Sequence, residues 1–275
     1  MAFSVNFSDD PAAVLARAGE ALAARPVDAN VVLTLLHTRV TAPAPGRFWV
    51  VADGAEVVGV VFQSPLTFFA TLTPMSRKAV VAVVDVIADA GVDLPGVIGD
   101  AATAASFAGQ WTERRESAAE PAMGQRIYEV ELVDPPAGVP GELRPAVPND
   151  HDLLVDWLRH FQGDVGEHGA ETAETVVERQ LPAGHFWIWD DGGPASMAAT
   201  TEPVAGVARI GAVYTPVDRR RRGYAGACVA AVSAGVLAAG RRCILYTDLG
   251  NPTSNSVYRR IGYRAVAECL RYHFT

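Results

Sequence analysis

The stretch VYTPVDRRRRGYA, residues 213–225, decides the fold of this 275-residue chain. It begins inside the apolar run ARIGAVYTP, which predicts a β-strand, and the uncharged run from Gly223 onward predicts a helix. The four arginines 219–222 therefore lie on a turn between a strand and a helix N-terminus. The first N–H groups of a helix have no intrahelical partner and carry partial positive charge, so the turn is a candidate anion site. Gly223 would let the backbone approach a phosphate closely.

An isolated arginine run is also typical of a solvated basic patch or of a nucleic-acid site. The chain has 23 Lys and Arg against 31 Asp and Glu, and its net charge of −8 argues against nucleic acid as a partner. Neither G-x-G-x-x-G nor G-x-x-x-x-G-K occurs at the turn, which excludes the dinucleotide and P-loop fingerprints. On the arginines alone, the solvated patch stays open as an alternative.

A second motif follows at residues 251–263, NPTSNSVYRRIGY. Together the two segments closely resemble the GNAT (GCN5-related) N-acetyltransferase superfamily. Residues 220–225 fit its acyl-CoA motif R/Q-x-x-G-x-G/A, and residues 251–258 fit N-x-x-A/S-x-x-x-Y. The resemblance implies acetyl-CoA as co-substrate, with its pyrophosphate on the backbone of 221–225 and its pantetheine arm along the preceding strand. The cofactor-binding residues that it implies are Val213, Tyr214, Arg220, Arg221, Arg222, Gly223, Tyr224, Ala225, Asn251 and Ser254. For Asn251, capping of its own helix is an equally open role.

The resemblance also implies that a primary amine attacks the acetyl group directly, without an acyl-enzyme. Tyr258 matches the general acid of the family, which protonates the leaving thiolate. The amine must lose a proton, and no motif identifies the base. We predict Glu202, at the end of a hairpin strand, and interpret His160 as a packed or surface residue. The alternatives for the base are Asp248, Glu167 and His168.

The two halves of the chain resemble each other. Residues 46–66 align without gaps on residues 184–204, and both segments contain a Trp and an Asp-Gly pair in register, at Asp53 and Asp191. Asp-Gly between β-rich runs predicts a tight hairpin of type I′. The Pro/Gly-rich stretch DPPAGVPG, residues 134–141, is the best linker. We therefore predict an α/β (α+β) protein with two tandem GNAT-like domains, residues 1–134 and 141–275, each a mixed, mostly antiparallel sheet flanked by helices.

The first half lacks the residues that would bind acetyl-CoA. It has no arginine-glycine turn, and when Asp100 is aligned with Asn251, Phe107 takes the place of Tyr258. Phenylalanine cannot donate a proton. We expect a degenerate N-terminal domain and a catalytic C-terminal one.

Composition limits the other function classes. The three cysteines are widely spaced, which excludes a disulfide scaffold or a cysteine-based zinc site and favours a reducing, cytoplasmic compartment. No histidine has metal-ligand spacing, so no metal is predicted. Residues 223–240 are uncharged, but Ala, Gly and Ser dominate them, so we predict a buried helix and no membrane span. The expected partners are acetyl-CoA and a small amine acceptor, with protein N-termini and lysines left open as other acceptors, and the expected state is a monomer or homodimer. An acyl-CoA-binding sensor without turnover is the alternative function.

Overall fold

A computed structural model describes residues 3–165 and 171–275 of the chain. The chain forms two compact units. Unit 1 comprises Met1–Arg126, Asp248–Gly250 and Ala267–Thr275, and unit 2 comprises Ile127–Thr247 and Asn251–Val266. The described residues contain both helices and strands in each unit, so the predicted α/β class is confirmed.

The two halves of the sequence have the same order of elements, βααβββαβαβ. The first half contains β1 (Phe3–Ser8), α1 (Pro11–Ala23), α2 (Asn30–Thr41), β2 (Arg47–Asp53), β3 (Glu56–Gln63), β4 (Ala70–Leu72), α3 (Arg77–Asp89), β5 (Gly96–Asp100), α4 (Ala101–Arg115) and β6 (Ala119–Val130). The second half contains β7 (Glu142–Pro145), α5 (His151–Val165), α6 (Ala173–Gln180), β8 (Phe186–Asp190), β9 (Pro194–Thr200), β10 (Val207–Tyr214), α7 (Tyr224–Ala238), β11 (Arg242–Asp248), α8 (Pro252–Arg260) and β12 (Arg264–Phe274).

Each unit has a mixed, mostly antiparallel sheet. In unit 1 the strand order is β1-β2-β3-β4-β5-β12, and the parallel pair is β4 with β5. In unit 2 the order is β6-β11-β10-β9-β8-β7, and the parallel pair is β10 with β11. The last residues of the sequence thus complete unit 1, where Cys269–His273 pair with β5. The linker at residues 134–141 carries no signal for this pairing, because strand partners are distant in sequence.

Helices cover both faces of the sheet in unit 2. On one face, Val229 of α7 and Leu245 of β11 belong to one hydrophobic cluster. On the other face, Leu154 and Trp157 of α5 form a second cluster with Ile188 of β8. Small residues let α7 be buried through most of its length, as the sequence predicts. Among the described residues, we find no helix with the length and apolar character that a membrane crossing requires.

Local sequence explains most of the element boundaries. Side chains at the N-cap accept the first free N–H groups of α1, α3, α4, α6 and α8. Both predicted Asp-Gly hairpins form, with Gly54 at a φ of 61° and Gly192 at 63°. The predicted turn type is wrong, because an Asp-Gly turn of type I′ needs a positive φ at both residues and neither Asp53 nor Asp191 has one. The sequence reading missed β1 and β4, because six and three residues are too short for a clear periodicity.

Candidate functional site

The parallel strands β10 and β11 separate toward their C-terminal ends. Their register ends at Ile210 opposite Leu245, whereas β10 continues to Tyr214. A bulge lies just beyond that last pair, because the pairing of β10 with β9 shifts register after Gly211 and Ala212 has a φ of 47°. A bulge bends a strand and interrupts its ladder. The edge of β10 beyond Ile210 can therefore pair with an extended ligand as with an added strand.

The turn after β10 leads to a helix N-terminus that no side chain caps. Gly223 is the N-cap residue of α7, has a φ of 87° and makes no side-chain cap bond. A Cβ at this position would lie 2.8 Å from Cγ2 of Val139, so glycine is required for both conformation and space. Arg221 also has a positive φ, of 65°. The first N–H groups of α7 thus point away from the helix without an intrahelical acceptor, which is the geometry of an anion site.

The arginines of the turn divide into two kinds. Nε of Arg220 donates to the carbonyl oxygen of Thr215 at 2.9 Å, and its Nη2 donates to Asp164 at 2.8 Å. Arg221 and Arg222 are exposed, and their side chains have no partner within the part of the chain that the structure describes. Arg220 therefore holds the shape of the turn, and the next two guanidinium groups are available to an anion.

Tyr224, the first residue of α7, is tied to the β8–β9 hairpin. Its ring is buried and its hydroxyl donates to Oδ2 of Asp191 at 2.5 Å. This contact fixes the start of the helix against the hairpin. The sequence indicates only a turn role for Asp191 and carries no signal for this contact with Tyr224. The side chain of Ala225 is half-buried, so its backbone N–H is the group it can offer to a ligand.

Tyr258 lies on α8 with its ring inside the same hydrophobic cluster as Val213 and the residues of α7. Its centroid is 6.1 Å from that of Tyr263, edge to face. The hydroxyl of Tyr258 makes no hydrogen bond within the described residues. Its oxygen is not fully buried, so a ligand can reach it. Burial raises the pKa of Tyr258 to about 12. The phenol is therefore protonated at neutral pH and can donate at its open tip.

No cysteine of unit 2 is prepared to act as a nucleophile. Burial raises the pKa of Cys228 to about 12, and burial also raises the pKa of Cys243. The thiolate is the reactive form, so both side chains are inert at neutral pH. This agrees with a direct transfer that does not pass through a cysteine.

Asn251 caps α8, with its Oδ1 accepting the backbone N–H of Ser254 at 3.0 Å. The sequence left two roles open for Asn251, a cap and a cofactor contact, and the cap is the one that the structure displays. Ser254 is placed in the first turn of α8, where its backbone completes that cap.

The predicted base, Glu202, lies near the beginning of β10. The backbone N–H of Thr201 donates to the carbonyl oxygen of Arg209 at 2.9 Å, and Oε2 of Glu202 is 3.6 Å from Nε2 of His185. Four strand steps separate Arg209 from Val213, which is roughly 13 Å at the usual strand rise. This separation argues for a different proton acceptor near Val213.

The other candidates for the base are placed as follows. Oδ1 of Asp248 accepts the N–H of Gly250 at 2.7 Å and so shapes the turn after β11. Glu167 and His168 lie outside the described residues. His160 lies on α5 with its ring against Tyr214, 5.9 Å between centroids, and with much of its side chain exposed, as expected for a packed or surface residue.

Comparisons with known proteins agree with this geometry. Residues 190–272 match the family model described as FR47-like protein. No curated protein matches the sequence. Solved structures that are similar over almost the whole chain include an acetyltransferase from the GNAT family of Colwellia psychrerythraea (10% identity, TM-score 0.63, 99% of this chain and 100% of that one), a GCN5-related N-acetyltransferase of Sphaerobacter thermophilus (18%, 0.62, 99% and 95%), and a tandem GNAT protein from the clavulanic acid biosynthesis pathway (13%, 0.56, 99% and 98%). At these identities, the likeness establishes the fold, which is that of the GNAT proteins.

Proposed function

We propose that this chain, which has the GNAT fold, is an acetyl-CoA-dependent N-acetyltransferase whose second unit carries the reaction. The observation that supports this most is the opening between β10 and β11, followed directly by the uncapped N-terminus of α7. The other residues that we assign to the reaction also belong to unit 2.

The opening and the turn fit the two chemical parts of acetyl-CoA. The backbone N–H groups of residues 221–225, together with the exposed guanidinium groups of Arg221 and Arg222, fit a pyrophosphate. The free edge of β10 fits the amides of an extended pantetheine arm. The backbone N–H near Val213 is the donor that we assign to the acetyl carbonyl oxygen. When bound, acetyl-CoA supplies an activated thioester.

Tyr258 is the proton donor in this proposal. The acceptor is a primary amine, and its nitrogen forms the new bond while the C–S bond breaks and the electron pair leaves on sulfur. Tyr258 gives a proton to that sulfur, and its raised pKa, about 12, keeps the donor loaded at neutral pH. Protonation of the sulfur lets coenzyme A leave as the free thiol.

The test is release of free thiol from acetyl-CoA in the presence of a broad panel of small amines, with binding of acetyl-CoA measured by calorimetry. The expected result is release with at least one amine. Gly223→Asp introduces a Cβ and a negative charge at the helix N-terminus and should weaken binding by more than about 100-fold. Gly206→Asp is the matched control, because Gly206 also has a positive φ, of 77°, but precedes β10 at its other end.

The results separate the two candidate functions. Binding without release from any amine would favour an acyl-CoA sensor without turnover. Absence of binding, or an equal loss in the Gly223→Asp and Gly206→Asp variants, would contradict the assigned acetyl-CoA site.

A further inference from the structure

His160 occupies the side of β10 that faces α5. Neighbouring residues of this strand point to opposite faces, so Val213 packs with α7 and α8 whereas Tyr214 packs with α5. The imidazole of His160 lies nearly parallel to the ring of Tyr214, with 5.9 Å between centroids and 16° between planes. Trp157, one turn earlier on α5, contacts the same tyrosine ring at 5.9 Å. This packing holds the imidazole against Tyr214, the residue that follows Val213 of the assigned acetyl site in β10.

The hydrogen bond of His160 determines which ring nitrogen is free. Its Nδ1 lies 2.9 Å from the main-chain carbonyl oxygen of Asp156. A carbonyl oxygen only accepts, so Nδ1 carries the proton and Nε2 has the lone pair in the neutral ring. The side chain is 59% exposed, which leaves Nε2 accessible to a ligand.

The charged groups around His160 favour the binding of a positively charged amine substrate. On α5, Oδ2 of Asp156 is 3.4 Å from Nδ1 of the imidazole, and Asp164 is one turn further on. The guanidinium of Arg220 lies over the ring of Tyr214 at 5.7 Å, and it is held by Asp164. Within the described residues, Asp156 is thus the carboxylate closest to the imidazole.

We infer that His160 is the proton acceptor of the reaction, in place of Glu202. The inference rests on the proposed function. Nε2 of His160 takes one proton from the ammonium group of the acceptor, and the free amine then forms the C–N bond as the C–S bond breaks. Tyr258 gives its proton to the sulfur, and the second proton lost from the nitrogen returns through solvent to the phenolate. The products are the amide, the free thiol and a protonated imidazole, so atoms and charge balance.

The test compares His160→Gln with His151→Gln, using the best amine from the panel. Both histidines lie on α5 and have a ring nitrogen near an aspartate, but His151 is in the first turn of the helix and bonds Asp152 at 2.9 Å. We measure kcat/KM between pH 5 and 9 and the binding of acetyl-CoA for each variant. His160→Gln should lower kcat/KM about 100-fold at neutral pH, remove the acid limb of the pH profile, and leave acetyl-CoA binding unchanged. His151→Gln and Glu202→Gln should keep the profile of the unmodified chain.

The outcomes distinguish the role of His160 from the acetyltransferase activity itself. An acid limb that survives in His160→Gln, or that disappears instead in Glu202→Gln, would overturn the assignment of His160 while leaving the acetyltransferase intact. A chain without turnover of any amine would overturn both. A loss of acetyl-CoA binding in His160→Gln would mean that this side chain supports the cofactor site and is not the proton acceptor.

Discussion

The segment from β4 to α3 in unit 1 and the segment from β10 to α7 in unit 2 have the same place in their folds but different backbones. β4 pairs with β5 through Leu72, its last residue, whereas β10 continues four residues past its last pair with β11. After β4 the chain is bound to its own unit, because Oγ1 of Thr73 accepts the N–H of Val60 at 2.8 Å. Unit 1 therefore has no comparable opening at this position.

The N-terminus of the helix that follows is also closed in unit 1 and open in unit 2. Oγ of Ser76 accepts the N–H of Ala79 at 3.3 Å and caps α3, whereas Gly223 leaves α7 uncapped. Met75, just before that cap, exchanges hydrogen bonds with Thr103 of α4 through its own backbone. The same fold thus has a closed turn in unit 1 and a candidate anion site in unit 2, and a few backbone positions make the difference. We propose on these grounds that unit 1 does not bind acetyl-CoA.

The hydroxyl of Tyr258 is the sharpest difference, since buried Phe107 takes the equivalent place in α4. Tyr258→Phe should lower kcat by about 100- to 10,000-fold, because it removes the assigned proton donor. The binding of acetyl-CoA should stay within about two-fold, since the ring remains. Thiol release and calorimetry measure the two quantities.

Tyr263→Phe is the matched control for that variant. The hydroxyl of Tyr263 is buried and bonds Oγ of Ser233 at 2.8 Å, so its removal should lower the free energy of unfolding by about 1–3 kcal/mol and leave kcat nearly unchanged. Equal losses of kcat in Tyr258→Phe and Tyr263→Phe would show that both tyrosines act through packing alone.

Exchanging the N-cap residues of α3 and α7 tests whether the open N-terminus of α7 is what binds acetyl-CoA. Gly223→Ser places a side chain at a positive φ, against Val139, and offers a hydroxyl to the free N–H groups. We expect the Kd for acetyl-CoA to rise about 100-fold, which corresponds to about 2.7 kcal/mol. Ser76→Gly should leave the Kd unchanged. If Ser76→Gly also altered the Kd, a site in unit 1 would have to contribute to binding.

Local signals in the sequence predict the turns, the helix caps and the hairpins, whereas features that depend on the pairing of distant strands carry no local signal. Glycine at the turns and caps, the small residues of α7 and the motif around Tyr258 are local features with a direct physical meaning. The bulge at Ala212 lies next to Gly211, and a glycine inside a strand often marks a bulge, but the positive φ falls on the alanine, a residue that does not predict one. The position of Glu202 depends on the register of β9 with β10, which a hairpin pattern does not determine.

The entry to the first helix of each half gives a further contrast. The carboxylate of Asp150, just before α5, accepts bonds from Nη1 of Arg144 at 2.7 Å, from Nη2 of Arg144 at 3.0 Å and from the N–H of Val147 at 2.8 Å. The carboxylate of Asp10, which caps α1, accepts one bond, from the N–H of Ala12 at 2.8 Å. Asp150→Asn should therefore lower the free energy of unfolding by about 2 kcal/mol, and Asp10→Asn by a few tenths.

The pH dependence follows from the pKa of Asp150. The hydrogen bond from Arg144 holds the pKa of this carboxyl below its usual value. The stabilisation is thus complete above the unfolded pKa, about 3.9, and is lost as pH falls through the folded pKa. Hydrogen exchange of β7 and β8 amides should distinguish Asp150→Asn from the unmodified chain at pH 7, and the difference should shrink in acid. A difference that stays constant down to pH 2 would contradict an ionic origin.

The smallest expected effect concerns the caps of α4 and α8. Oδ2 of Asp100 accepts the N–H of Thr103 at 3.0 Å, as Oδ1 of Asn251 does for Ser254. Asn and Asp are equivalent as caps, so Asn251→Asp and Asp100→Asn should each change stability by less than about 0.5 kcal/mol. The charge makes Asn251→Asp informative. If the amide of Asn251 also donated to the anionic co-substrate, the new carboxylate would repel it and the Kd for acetyl-CoA would rise about ten-fold or more. We expect a change below about two-fold, since a cap whose oxygen faces its own helix has no reason to sense the ligand.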